Sequence, residues 1–401
     1  MRFLDTPALR FRNFRGLWLA VFFNSVGMVG EQVVLGWLAL ELTDSPFAVG
    51  AALGLRMVPL FLLGIPAGVM ADRNDRSQLI RLTSAAMAAQ CAILGVLVLL
   101  RVVALWHLLL LAFTTGCLQA LYQTARQSYA HDIVGASHLV NALAFLGLAM
   151  RLGGLLGSLV AGILIARLGS EVAYFTLAAA YGLVGIALAR VVPEPREVRA
   201  PRGSLWQGLA DYLAVTRETR ILPLLLVFTA AAEIFGFAHQ ALLPSLARDG
   251  LAVGPEGLGA MTAARSIGGI LGIVAISGRG HTPGNGAIFL SALFVFGATL
   301  IALGFAGSLR WVLATLVLAN AMGAVSDVLS QSLIQLSVPG ELHGRAGGTW
   351  VLAIGTAPLG QLQIGALASL FGVTFALATS GLGLVVVAAA GALFVPRLRR
   401  L

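Results

Sequence analysis

Gly64-Ile-Pro-Ala-Gly68-Val-Met-Ala-Asp72-Arg73-Asn-Asp75-Arg76-Ser-Gln-Leu-Ile80 is the stretch that decides the fold. Its first half is small and apolar, and its middle is a knot of opposite charges between Asp72 and Arg76. One long apolar run, 47-71, ends in that knot, and another, 78-100, begins just after it. About 20 apolar residues are enough for a helix to cross a ~30 Å hydrocarbon core. The knot therefore reads as a short hydrophilic turn joining two membrane spans.

The composition extends that reading to the whole chain. Hydrophobic residues make up 58% of 401, and a further 48 are Gly. Together they reach about 70%, where soluble domains hold roughly 45–50% of the same set. No soluble core absorbs that much apolar surface. Charged residues are 11% and fall mostly between apolar runs at about 15-41, 47-71, 78-100, 104-125, 139-166, 171-192, 221-246, 257-278, 284-306, 309-335, 346-370 and 373-395. The runs are continuously apolar, whereas strands of a membrane barrel alternate over about 10 residues. The expected fold is an all-α membrane protein with twelve transmembrane helices.

The formal net charge of +9 points to topology rather than to nucleic acid. All 26 basic residues are Arg. With the N-terminus in the cytoplasm, twelve alternating spans put 19 of them on the cytoplasmic side and leave Arg101, Arg167, Arg248 and Arg310 on the other. Excess Arg in cytoplasmic loops is the positive-inside pattern. It predicts a multi-pass protein of a bacterial-type inner membrane with both termini cytoplasmic, and contact with anionic lipid next. The first apolar run is too long for a cleaved signal and reads as an uncleaved first span. Cys91 and Cys117 fall inside spans as small packing residues. The six His show no metal-ligand spacing. Without any Lys, a Walker A phosphate loop cannot be written, so uphill transport has to draw on an ion or solute gradient or on a separate ATPase subunit. No cofactor and no catalytic dyad is expected.

The chain divides near its middle. Residues 193-220 form the one long polar segment, where Pro193, Pro195 and Pro201 oppose helix and Leu205, Trp206, Leu209, Leu213 and Val215 trace a short amphipathic stretch. The expected domains are a six-helix bundle over 1-192, a cytoplasmic linker over 193-220 and a second bundle over 221-401. A weak repeat relates the halves: Val134-Gly-Ala-Ser-His-Leu139 after the fourth run matches Val338-Pro-Gly-Glu-Leu342 after the tenth, with one residue of gap. Six-plus-six organisation with internal repeats is characteristic of secondary transporters.

The knot resembles the signature between the second and third helices of the major facilitator superfamily, roughly Gly-x-Leu-Ala-Asp-Arg-x-Gly-Arg-[Arg/Lys]. Gly68, Asp72, Arg73 and Arg76 match it, while Asp75 stands in place of Gly and Ser77 in place of a base. Further stretches narrow the resemblance: Asn13-Phe-Arg15, Trp37-Leu-Ala-Leu-Glu41-Leu-Thr-Asp44-Ser45-Pro46, Ala125-Arg126-Gln127, Leu246-Ala-Arg248-Asp249 and Gln335-Leu-Ser-Val-Pro339-Gly-Glu341-Leu-His-Gly344-Arg345. In that order and spacing they are similar to the branch of enterobactin-type siderophore exporters and macrolide efflux pumps. The resemblance implies two pseudo-symmetric six-helix bundles, alternating access, and drug or metabolite efflux, commonly by proton antiport. It also implies a conformational latch built from Gly64, Gly68, Asp72, Arg73, Arg76, Arg126, Glu341, Gly344 and Arg345. Relatives carry Gly-Pro in the fifth span, where this chain has Gly154-Leu155. That departure keeps import, or lipid export, open on the same scaffold.

Ionisable groups inside spans are costly and usually face the bundle interior or water. They are Glu31, Arg56, Arg151, Glu233, His239, Arg265 and Asp327. At 1.5 Å per residue, Glu31 and Arg56 both lie roughly 14–15 Å below the outer surface, and Arg151 and Glu233 about 18 Å in from the cytoplasmic edge. Burial disfavours the charged form of a carboxylic acid and a nearby Arg favours it. An acid exposed alternately to Arg and to water can therefore exchange a proton. Glu31, Glu233 and Asp327 are the candidates for proton coupling, with a permanent internal ion pair as the competing reading for each. Arg56, Arg151, Arg265 and His239, with Trp37 and Phe235, are candidates for ion pairs or the substrate cavity. Gly64/Gly68, Gly153/Gly157 and Gly268/Gly272 are each four apart and permit close helix approach. The expected partners are a small-molecule substrate, protons and lipid, with no nucleic acid, and the expected state is a monomer. A non-transporting receptor is the distant alternative.

Overall fold

The computed structural model describes residues 7–189, 221–277, 284–337 and 352–400. Within these, helices run α1 Arg12–Thr43, α2 Pro46–Arg73, α3 Arg76–Leu99, α4 Leu105–Gly135, α5 Asn141–Leu168, α6 Ser170–Leu188, α7 Ile221–Gly250, α8 Gly254–Ser277, α9 Asn285–Gly304, α10 Leu309–Leu336, α11 Ala357–Phe371 and α12 Val373–Phe394. Eleven of them are long and apolar enough over their described residues to cross a membrane; α11, at 15 residues, is the shorter one. The twelve helices fall on the twelve apolar runs, so hydropathy alone placed them. The polar segment 193-220 lies outside the described residues.

One boundary differs from expectation. Helical hydrogen bonding continues from Leu105 to Leu168 over 64 residues. Such a length, about 96 Å at 1.5 Å per residue, far exceeds a bilayer. The run is broken at Gly135, whose φ of 70° and ψ of 175° are not helical. A residue without Cβ takes such a conformation at little cost. The fourth run was expected to end near 125, where the polar residues begin. Backbone hydrogen bonding does not stop where hydropathy does, so Arg126 sits inside a helix rather than in a loop.

The chain forms two compact units, Met1–Leu38 with Val58–Arg202 and Ala39–Met57 with Gly203–Leu401. The boundary within α2 falls next to Pro59, which removes a backbone donor from the helix. In the first unit, α5 lies against α1 so closely that a Cβ at Gly153 or Gly157 would run into the carbonyl oxygens of Phe22 or Val26. In the second, Gly268 and Gly272 of α8 meet the carbonyls of Val317 and Ala321 of α10 in the same way. Both four-residue glycine pairs thus do what their spacing predicted.

Candidate functional site

The seventh helix is regular only as far as Ala231. It then passes through a π turn, Ala232–Gly236, a 3₁₀ segment, Phe237–Leu242, one α turn, and a second π turn, Leu246–Gly250. A π turn inserts an extra residue, rotates the side chains that follow, and occurs often at functional sites. Here the first π turn carries Glu233.

Glu233 lines a small recess with Thr229, Ala232, Phe237, Phe289, Ser326, Asp327 and Ser330. The hydroxyls of Thr229, Ser326 and Ser330 donate to the carbonyls of Leu225, Gly323 and Asp327 at 2.8, 2.8 and 3.0 Å. Their protons are committed to their own helices, so toward the recess they offer oxygen lone pairs. The lining holds two carboxyl groups and no basic side chain. Two like charges in one low-dielectric recess repel, and a shared proton or bound cation relieves that repulsion. The sequence placed Glu233 and Asp327 in separate helices without any sign that they meet.

The other candidates from the second unit lie elsewhere. Arg265 donates from Nη2 to Gln240 Oε1 at 2.8 Å. His239 is fully buried, with Nδ1 2.7 Å from the Gly236 carbonyl, Nε2 3.5 Å from Asn320 Nδ2 and its ring edge-on to Phe296. It is tied on both ring nitrogens and takes no part in the recess. Phe235 packs near Gly383 of α12. Arg56 is buried in this unit.

Glu31, Trp37 and Arg151 belong to the first unit. Glu31 is 4% exposed, accepting from Tyr181 Oη at 3.1 Å and lying 3.3 Å from Thr115 Oγ1. Thr115 also reaches Gln90 Oε1 at 2.9 Å. Sequence reasoning named the acid and missed these partners. For Thr115 a signal was present: it recurs with Gln119, Tyr122 and Arg126 at intervals of four, three and four, one face of α4. Trp37 is half-buried.

At the charged knot, Arg76 pairs with Asp132 of α4 and also donates to the Ser128 carbonyl at 2.9 Å. Arg73 is exposed. Asp75, the departure from the family pattern, caps α3: its Oδ1 accepts from the Gln78 backbone N–H at 3.0 Å. An Asp in this place supplies an acceptor that Gly lacks. Asp75→Ala is expected to lower stability by about 1 kcal/mol, read as a shift in thermal melting of the detergent-solubilised protein, with Asp75→Asn close to wild type. Of the remaining latch residues, Arg126 is buried in α4, whereas Glu341, Gly344 and Arg345 lie outside the described residues, and Gly64, Gly68 and Asp72 are described only as helical backbone of α2.

Two further motifs converge at the far end of α7. Arg248 pairs with Asp44 at 2.9 Å and Asp249 at 2.7 Å and donates to the Leu40 carbonyl at 3.1 Å. Beside it, Ser369 Oγ accepts from the Phe47 N–H at 3.0 Å. The turn between α1 and α2 is thereby fastened to α7 and α11.

Known proteins agree with this architecture. Enterobactin exporter EntS of Shigella flexneri is 27% identical over 397 residues, covering 96% of this chain and 92% of that protein. Its counterpart in Escherichia coli O81 (strain ED1a) matches to the same extent. Among solved structures, a bacterial homologue of the human lysosomal transporter Spinster, inward-facing and unoccupied, superposes with a TM-score of 0.74 at 16% identity over 98% of each chain. The nucleoside transporter NupG gives 0.75 at 12% identity, covering 96% of this chain and 99% of that one. These two establish the fold alone. The family described as transmembrane secretion effector matches residues 6–400. From end to end, then, the chain belongs to that family of the major facilitator superfamily, as a multi-pass membrane transporter.

Proposed function

We propose that this transporter exports amphipathic small organic molecules, siderophores among them, by alternating access driven by inward proton movement. What supports the reading most is the recess at the π turn of α7, which Glu233 and Asp327 both line. One proton bound there on one side of the membrane and released on the other is the elementary event that antiport needs. Glu31, held by Tyr181 and Thr115, is a second candidate proton carrier in the first unit. The likeness to proteins named enterobactin exporters supports the outward direction and the substrate class. In this reading both termini are cytoplasmic, the segment 193-220 links the two halves, and the protein works as a monomer in contact with lipid.

The test is transport into inside-out vesicles with an acidic lumen, using enterobactin and a panel of amphipathic dyes. Accumulation in the lumen that collapses on adding a protonophore is the expected result. Accumulation only under the reversed gradient would mean import, and accumulation indifferent to the gradient would end the proton-coupled reading.

A further inference from the structure

The face of α4 that begins beneath Glu31 continues toward the cytoplasmic end as Gln119, Tyr122 and Arg126. All three are buried, at 8%, 1% and 8% exposure. Their polar atoms are poorly served. The Gln119 amide donates to the thioether of Met28 on α1 at 2.9 Å, and the Arg126 guanidinium donates from Nη1 to the thioether of Met150 on α5 at 2.7 Å. The Gln119 carbonyl oxygen, the Tyr122 hydroxyl and the Arg126 Nε have no hydrogen-bond partner. Among the described residues, no carboxylate pairs with Arg126.

A thioether is a weak acceptor, whereas a guanidinium is a permanent cation with five donors. A buried cation without an anion, beside an unsatisfied phenol, is an arrangement that a folded protein avoids unless something else completes it. Lipid does not complete it, because the side chains are buried. Met28 and Met150, which come from two different helices, have unbranched side chains that yield readily to another occupant.

We infer that Gln119, Tyr122 and Arg126 form a subsite for an acidic oxygen group of the exported molecule, a carboxylate, which displaces the two thioethers. The Arg126 guanidinium faces both carboxylate oxygens, the Tyr122 hydroxyl donates to one of them, and Gln119 accepts from a neighbouring hydroxyl or amide of the same molecule. Gln119 and Arg126 are seven residues apart, about 10 Å along the helix axis. The subsite therefore holds an acid attached to a body that reaches one or two helical turns deeper. This rests on the export reading for the kind of molecule carried, but not on proton coupling.

The experiment is a binding measurement on the purified full chain in detergent, with no gradient. The probes are salicylate, 1-naphthoate and dansyl-phenylalanine, each against its own methyl ester, read by thermal stabilisation and by dansyl fluorescence. At least one acid is expected to bind about 10- to 100-fold more tightly than its ester, as loss of charge-assisted hydrogen bonds implies. Arg126→Gln should remove that preference while leaving ester binding intact, Tyr122→Phe should reduce it several-fold, and Arg126→Lys should fall between wild type and Arg126→Gln. Arg126→Met should leave the ligand-free melting temperature unchanged or raised, because it removes an uncompensated buried charge. A marked drop in that temperature would show a structural role and overturn the assignment. So would acids and esters binding equally, acids that fail to bind at all, or a Tyr122→Phe protein, which keeps the ring and the packing, with its acid preference intact. Gradient-driven transport that survives such a result would leave the export reading standing.

Discussion

Glu233→Gln is expected to abolish pH-driven accumulation while leaving gradient-free exchange of substrate intact. The amide has the shape of the protonated acid and cannot release a proton, so the carrier can cycle loaded and empty but cannot couple that cycle to a pH difference. In an exporter that exchanges one proton per substrate, one pH unit is worth about 1.4 kcal/mol, a tenfold accumulation ratio. In the variant the ratio falls to one. Asp327 shares the recess, so Asp327→Asn should lower the ratio as well. If the two acids hold a single proton between them, the double variant should be no worse than Glu233→Gln, because coupled sites titrate as a pair rather than one by one. The recess is small and its hydroxyl protons are already engaged with Leu225, Gly323 and Asp327 carbonyls. The two N–H donors that an amide brings therefore meet the free lone pairs of those hydroxyls, and both amide variants should fold. The measurement is substrate uptake at several imposed pH differences, with counterflow exchange as the control. If both single variants keep the tenfold ratio per pH unit, the proton is carried elsewhere and the recess loses its assigned role.

What the sequence made legible follows from which forces are local. A span of about 20 apolar residues is fixed by the bilayer, so hydropathy found the helices. Four-residue glycine spacing reports close packing because only Gly lets a neighbouring carbonyl approach, and Gly153, Gly157, Gly268 and Gly272 all behave so. The π turn at Ala232–Gly236 had no comparable signal. Neither Pro nor a run of Gly marks it, and it ends at Gly236, where a Cβ would run into the Phe296 ring of α9. The meeting of Glu233 with Asp327 was hidden for the same reason: 94 positions separate them in the chain. Asp75 is the opposite case. It looked like a blemish in the family pattern, yet its capping bond to Gln78 is local and was readable from Asp at the start of an apolar run. Gly135 ends α4 after the hydropathy has already fallen, so the extra helical turns carrying Arg126 and Asp132 were read as loop.

Arg248→Glu is expected to slow turnover about 5- to 30-fold, and Arg248→Lys, which keeps the charge, to stay within about threefold of wild type. Arg248 joins three partners, the Asp44 and Asp249 carboxylates and the Leu40 carbonyl. Asp44 is 84% exposed in its side chain, so solvent screens the pair, and an exposed ion pair alone is worth about 0–1 kcal/mol. The buried-end hydrogen bond to a backbone carbonyl adds to it, and about 1–2 kcal/mol for the whole corresponds to the stated 5- to 30-fold change. Asp44 has a second duty that shapes the choice of variant. Its φ of 51° lies in the left-handed region, which Asp and Asn tolerate better than most other residues. Asp44→Ala would mix backbone strain with loss of charge, whereas Asp44→Asn removes the charge alone and should cost only a few-fold in rate. Arg248→Glu brings a third carboxylate against Asp44 and Asp249, so repulsion replaces attraction and the turn between α1 and α2 is pushed from α7. In the proposed export cycle this fastening holds the turn between α1 and α2 within the second unit, and the reversed charge loosens that hold. Turnover in the vesicle assay is the readout, with substrate affinity as the control that should not move. An Arg248→Lys protein as slow as Arg248→Glu would show that Arg248 acts through something other than its charge.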